Sequence, residues 1–293
     1  MPSRRNEHWR ETQLTYDGSV GRYSEYTHAV IRNGHAIVVQ RCEQIARDLG
    51  HQLAILDVGC GWTDFYPRLS HVIGTYVGVE PAMVQLTRAE PRSNQYLMLG
   101  VGERLCLCDS CMDIVLHVAD LDHCFDVGKA IQETFRVLKP GGRTIILLEN
   151  RGRLSNDIRR LFNREISHGV EHLYYFTVED IQTLVEPYGT IEFLRSYGFL
   201  LGFDLLSRFL SREVIEVLAT LSDRVLGKLF ATKGQHFVVC ASKKEDGAAA
   251  TIRFLCPQCG TGFAWGDKTC KSCLREIRWI REDMVDMLAE ELK

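Results

Sequence analysis

The chain carries no surplus of positive charge. Its 293 residues hold 35 Lys and Arg against 38 Asp and Glu, for a formal net charge of −3. A nucleic-acid binder needs a basic footprint to neutralise phosphates, so nucleic acid is not the favoured partner. Long apolar runs are missing as well: no stretch approaches the roughly 18 uninterrupted apolar residues of a spanning helix. Residues 1–13, MPSRRNEHWRETQ, have no apolar core and do not read as a secretory signal. Their arginines suit a transit segment, but Glu7 and Glu11 argue against one. A regular cysteine framework is also absent. Eleven is an odd number; four cysteines form two CxxC units near the C-terminus and seven are scattered. Thiols in that pattern fit a reducing compartment, where they stay free or hold metal, so a cytoplasmic location is expected.

What is present is ordinary globular material, 45% hydrophobic and 25% charged, enough for one large α/β domain plus a small appendage. Residues 1–50 are polar and helix-like and are expected to form a lid or substrate segment. From residue 53 short apolar runs alternate with helical segments: Leu53–Val58, Tyr76–Val79, Gln95–Leu99, Asp113–Val118, Thr144–Glu149, Ile191–Ser196 and His236–Ala241. Runs of this kind predict a parallel sheet buried on both faces. Lys139-Pro140-Gly141-Gly142 stops a helix and feeds the fifth strand. The charged segment 243–250 reads as a linker, which sets a main domain at 51–242 and a C-terminal unit at 251–293.

The strongest local signal is Ile55-Leu56-Asp57-Val58-Gly59-Cys60-Gly61, a buried strand entering a glycine turn. Such a turn lets backbone approach a ligand at the carboxyl edge of a sheet. Dinucleotides and S-adenosylmethionine compete for it. The dinucleotide pattern GxGxxG requires a glycine at position 64, which is Asp64, and Asp57 precedes the first glycine. Two carboxylates beside a pyrophosphate repel it, whereas the sulfonium and ammonium of S-adenosylmethionine attract them. The second strand ends at Glu80-Pro81, where an acid accepts hydrogen bonds from ribose hydroxyls in either class.

In this order and spacing, LDVGCG, VGVEP, the segment 100–113 and ETFRVLKPGG leading to TIILLE resemble the class I S-adenosylmethionine-dependent methyltransferase superfamily over residues 50–242. The resemblance implies a Rossmann-like seven-stranded sheet with helices on both faces. It assigns Asp57, Gly59, Cys60 and Gly61 to the methionine part of the donor, Glu80 and Pro81 to the ribose, and Gly102 and Glu103 to the adenine side. Thr63 stands where the family has a third glycine, and Val101 where an acid is usual.

The family lines its active site at the end of the fourth strand, which makes His117 and Asp120 candidates to touch cofactor or acceptor. His168 and His172 lie in a histidine-plus-aromatic segment like the one many small-molecule members place across the pocket mouth, and histidine suits a base near neutral pH. Loop histidines are also often structural. Thr177 with Asp180 reads as a helix N-cap. The apolar insert 197–230 is expected either as an amphipathic lid for a lipid-linked acceptor, with peripheral membrane contact, or as a helical hairpin packed on the sheet or in a homodimer. Cys106, Cys108 and Cys111 form a C-x-C-x2-C run whose role the sequence leaves open.

Cys256-x-x-Cys259 and Cys270-x-x-Cys273 are separated by ten residues. Two such knuckles complete a four-sulfur site for structural Zn2+ and supply folding free energy to a segment with little core. The tail Arg278–Leu288 resembles Trm112-type zinc ribbons, which bind and stabilise or activate methyltransferases; this implies a ribbon that acts as a fused partner. Residues 251–293 contain seven basic and seven acidic side chains, so the unit offers no phosphate footprint. The expected activity is methyl transfer to a small-molecule, glycan or lipid-linked acceptor. The alternatives are a cofactor-binding protein without turnover, or an RNA or protein methyltransferase with a built-in activator. No Asn-Pro-Pro-Tyr-like motif selects an amino acceptor, so oxygen, nitrogen and carbon stay open.

Overall fold

The computed structural model describes residues 25–154, 174–199 and 209–288. Its centre is a nine-stranded sheet in the order β10-β11-β3-β2-β1-β4-β5-β7-β6. The seven expected strands are β1 (Leu53–Val58), β2 (Ile73–Glu80), β3 (Gln95–Leu99), β4 (Met112–Val118), β5 (Leu138–Glu149), β6 (Gly189–Tyr197) and β7 (His236–Lys243). Each apolar run noted in the sequence falls within one of them. Side chains alternate between the two faces, so Ile55 and Val238 enter one core cluster while Leu56 and Val239 enter the other. Helices α1 (Glu25–Leu49), α2 (Phe65–Leu69), α3 (Met83–Thr87) and α6 (Arg212–Leu229) contribute to the first cluster. Helices α4 (Val127–Val137) and α5 (Val178–Val185) contribute to the second. The sheet is therefore buried on both faces, as continuous apolar strands require.

Two features differ from expectation. The sheet is not wholly parallel: β7 runs antiparallel to both β5 and β6. The connection 198–235 leaves and re-enters the sheet at one edge, with Tyr197 opposite His236, and a same-edge connection reverses strand direction. The sheet also has nine strands rather than seven. β10 (Arg278–Arg281) and β11 (Met284–Asp286) come from the C-terminal unit, and β11 adds in parallel to β3 with Met284 beside Leu97 and Asp286 beside Leu99.

A second seam joins the C-terminal unit to residues 105–108. Cys108 N donates to Arg253 O and Leu255 N to Cys106 O, next to the small hairpin β8 (Phe254–Leu255) and β9 (Gly262–Phe263). Phe254, Phe263, Ile277, Val285 and Met287 share the core cluster of α4 and α5. The covered edge of β3 has no free ladder to offer another chain. Among the described residues, no helix is long and apolar enough to cross a membrane.

α5 opens with the expected cap. Thr177 Oγ1 accepts from Asp180 N at 3.2 Å, and Asp180 Oδ2 accepts from Thr177 N at 2.8 Å. α1 lies on the sheet through Val38, Cys42 and Ile45.

Candidate active site and candidate metal centre

β1 delivers its last residues to the carboxyl edge of the sheet, and the turn behind it is held against β2: Gly59 N donates to Val79 O at 2.8 Å. Gly59 and Gly61 have φ of +69° and +52°. Gly59 also has no room for a side chain, because a Cβ there would come within 2.5 Å of Asp120 Cβ. A Cβ on Gly61 would meet nothing within 4 Å, so the turn presents bare backbone to open space. Thr63, in the place of the family's third glycine, keeps a glycine-like φ of +68°. A β-branched residue there is strained by about 1–3 kcal/mol. Ala119, at the end of β4, is also left-handed at +56°. Strained non-glycine residues thus lie on both sides of the cleft.

Three carboxylates converge on this turn. Asp57 is 2% exposed and its Oδ2 accepts from Tyr76 Oη at 2.6 Å. Glu80 accepts from Gly61 N (3.0 Å) through Oε2 and from Ala82 N (2.8 Å) through Oε1. Burial lifts both carboxyls to about 7, and the negative charge of Asp120 pushes each further in the same direction. The third acid, Asp120, gives Oδ2 to His117 Nδ1 at 2.7 Å. Its Oδ1 is buried with no hydrogen-bond partner among the described residues. An unpaired buried carboxylate oxygen costs free energy that a cationic ligand would recover.

His117 is fully buried, and its Nε2 meets Thr134 Oγ1 at 2.6 Å, so both ring nitrogens are engaged. It reaches the cleft only through Asp120. Cys60 is buried, with its thiol pushed well up by burial and its Sγ directed at Gly61 O; it supports the turn and is no nucleophile. Pro81 follows Glu80 at the cleft edge, half-buried. Gly102 packs behind β1, where an added Cβ would lie 3.1 Å from Val58 Cγ1. Glu103 turns its carboxylate to the amides of Phe125 (2.9 Å) and Asp126 (3.3 Å), at the start of α4. His168 and His172 lie outside the described residues.

Sequence reasoning missed Tyr76. An aromatic hydroxyl inside an apolar strand needs a buried partner, and that was the available signal. Tyr76→Phe leaves Asp57 without its side-chain donor. The expected result is a loss of about 1–3 kcal/mol in urea unfolding above pH 8, where Asp57 is charged. An unchanged midpoint would refute the role given to the hydroxyl.

The four C-terminal cysteines come together at the far edge of the sheet. Their sulfurs lie within 4.8 Å of one another, with Cys256–Cys273 and Cys259–Cys270 both at 3.6 Å. A tetrahedral four-thiolate zinc with Zn–S near 2.3 Å has sulfurs about 3.8 Å apart, so the set fits that ion. Cys106, Cys108 and Cys111 form no such group; their thiols donate to the carbonyls of Met287, Thr251 and Cys108. Two of the three therefore fasten the C-terminal unit to the sheet.

Residues 56–146 match the family model described as "Methyltransferase domain". This stretch is a methyltransferase domain, and its fold and motifs support the S-adenosylmethionine-dependent class. The chain is 26% identical over 151 residues to the mitochondrial ubiquinone biosynthesis O-methyltransferase of Rattus norvegicus, covering 47% of this chain and 44% of that protein. It is 32% identical over 111 residues to the malonyl-[acyl-carrier protein] O-methyltransferase of Serratia marcescens, covering 33% and 43%. The chain thus spans less than half the length of these curated relatives. Among solved structures, a candidate methyltransferase of Bacillus halodurans C-125 superposes with a TM-score of 0.51 at 18% identity, covering 70% of this chain and 98% of the other. That likeness concerns the fold of the methyltransferase domain.

Proposed function

We propose that the chain transfers a methyl group from S-adenosylmethionine to a small-molecule or lipid-linked acceptor. The observation that carries this reading is the ring of Asp57, Glu80 and Asp120 around a bare glycine turn, with one Asp120 oxygen still unpaired. Such a ring attracts a sulfonium and an ammonium and repels a pyrophosphate. The donor supplies the reactive methyl carbon, and the chain's residues bind and orient it. Asp57 and Asp120 face its positive groups, Glu80 its ribose, and the Gly59–Gly61 backbone its methionine part. Asp120 is the candidate catalytic residue. His117 is a positioning residue that fixes Asp120 through Nδ1, and His168 and His172 remain candidate bases. Two curated relatives are named as O-methyltransferases, so a hydroxyl or carboxyl acceptor is the first to try. Cys256, Cys259, Cys270 and Cys273 hold a structural zinc in this reading, and the ribbon acts as a partner built into the chain.

Calorimetry with S-adenosylmethionine and with NAD tests the cofactor, and S-adenosylhomocysteine release over pools of hydroxylated and carboxylated metabolites tests turnover. Uptake of NAD and none of the sulfonium compound would end the proposal.

The raised carboxyls make binding depend on pH. Asp57 and Glu80 titrate near 7 when folded and near 4 when unfolded, so between those values the folded chain holds more protons. Their contribution to stability is full below about pH 4 and is lost as pH rises through about 7. A bound cation favours the ionised forms and reverses this. Affinity for S-adenosylmethionine is therefore expected to rise roughly ten- to hundredfold between about pH 6 and pH 8, with protons released on binding. Titrations in buffers of different ionisation enthalpy measure both quantities, and a flat profile without proton release contradicts the assignment.

A further inference from the structure

α6 is pinned to the body of the protein along one face. Ile215 and Ala219 are buried there, and Asp223 accepts from Gly198 N at 2.8 Å and from Asn33 Nδ2 at 3.2 Å. Arg195 Nη2 donates to the Asp223 carbonyl at 2.9 Å. The rotation of the helix is therefore fixed. Its opposite face carries a stripe of Val214, Val217, Leu221, Val225 and Leu229, spaced by three or four residues, with Val217 at 64% and Leu229 at 70% exposure. From Val214 to Phe230 the remaining exposed positions are Arg224, Lys228 and Phe230, while the part-exposed Glu216 carboxylate is paired with Arg32 at 2.9 Å and Arg212 at 3.1 Å. Apart from that ion-paired acid, every exposed position in the span is apolar or basic. Phe209, 83% exposed, stands just before the helix.

α6 is held at the same edge of the sheet as the glycine turn, four strands away from β1. β7 is antiparallel to both β5 and β6, so β6 runs in the direction of β4 and β5, and Gly198 sits at the carboxyl edge shared with Gly59. Asp223, at the middle of α6, is held to that edge.

We infer that the outer face of α6 docks in the plane of an anionic lipid surface. At 18 residues, with charges on its exposed face, the helix does not span a bilayer, but it can lie along one. Lipid headgroups take both parts of the face: apolar side chains enter the acyl boundary, while Arg224 and Lys228 meet lipid phosphates and carboxylates. Phe209 and Phe230 mark the two ends at interfacial depth. A second copy of the chain answers the chemistry less well. A two-fold axis would bring the same cations from both copies onto one apolar seam, opposed on the helix only by Glu213 and by Glu216, which Arg32 and Arg212 already engage. The inference does not depend on the methyl-transfer reading.

Flotation with phosphatidylcholine vesicles, with and without phosphatidylglycerol, tests it on the full chain. The protein is expected to rise with the anionic vesicles and to stay behind with the neutral ones. Arg224→Glu/Lys228→Glu should cut partitioning at least about tenfold. Val217→Ser/Leu221→Ser/Val225→Ser should do the same, since the apolar stripe is what enters the membrane. All five positions are exposed, so an unchanged thermal midpoint and unchanged S-adenosylmethionine affinity check that each variant is folded. No flotation of the wild type, or undiminished flotation of either variant, overturns the inference. A dimer in light scattering that the triple-serine variant dissolves, without flotation, overturns it in favour of a second copy.

Discussion

Gly59→Ala is expected to cost about 3 kcal/mol or more of stability and to abolish S-adenosylmethionine binding, whereas Gly61→Ala should lose binding with little loss of stability. The two glycines share a left-handed conformation, which an alanine adopts at a cost of roughly 1 kcal/mol. They differ in what lies next to them. At Gly59 the added methyl would overlap Asp120 Cβ at 2.5 Å, and that atom is one bond from the backbone of a strained segment following Ala119. Nothing there can swing aside. Relief requires moving the end of β4 away from β1, which also breaks the placement of Asp120 against His117. A fall in thermal midpoint of about 5–10 °C should follow. At Gly61 the methyl points into open space, so only the conformational strain remains in the free protein. In the proposed complex that space belongs to the donor, and affinity should fall at least about tenfold. Differential scanning fluorimetry and calorimetry on both variants separate the two effects. Full affinity in Gly61→Ala would show that the ligand lies elsewhere.

How much of this was legible in the residues depends on the physical signal each feature leaves. The strand positions were legible because a strand buried on both faces is a continuous apolar run, and LAILDV and DIVLHV are such runs. The direction of β7 was not. An apolar run carries no arrow, and only the same-edge return of residues 198–235 decides it. Asp57, Glu80 and the glycines were readable as a motif, since acids beside a turn have few other uses. The separate duties of Glu103 and His117 were not readable. An acid in the loop after β3 reads equally as a ligand contact or as a partner for the amides of Phe125 and Asp126, and only burial distinguishes them. His117 belongs to an apolar strand, and its enclosure between Asp120 and Thr134 depends on α4, which arrives from another part of the chain. β11 was illegible for a simpler reason: three residues are too few to show any period.

That short strand underlies the other large effect, which is expected when the proposed zinc is withdrawn. Chelation of the four-cysteine site, or Cys256→Ser, should lower the thermal midpoint of the whole chain by about 10 °C or more, beyond any effect on the C-terminal unit alone. If the ribbon were a tethered appendage, its unfolding would leave the methyltransferase domain untouched. Its residues are instead shared. Met284 and Val285 are fully buried on β11 beside β3, and Phe254 and Met287 fill the cluster that includes Val58 and Met98. Arg104 also hydrogen-bonds Pro257 O, within the first CxxC. The knuckles hold this set together, since Cys256 N bonds to Thr261 O and Cys270 N to Arg275 O around the sulfur cluster. Without the ion the sulfurs take up protons, the bonds that tie the two knuckles together are lost, and the knuckles open. The β3 edge then loses its parallel partner and several buried side chains meet water, each worth about 1.5–3 kcal/mol. An exposed edge beside fresh apolar surface also predicts aggregation. Metal analysis, a thermal scan and light scattering on chelated protein measure all three consequences. Two separate transitions, with the larger one unmoved, would mean that the sheet does not depend on its borrowed strands.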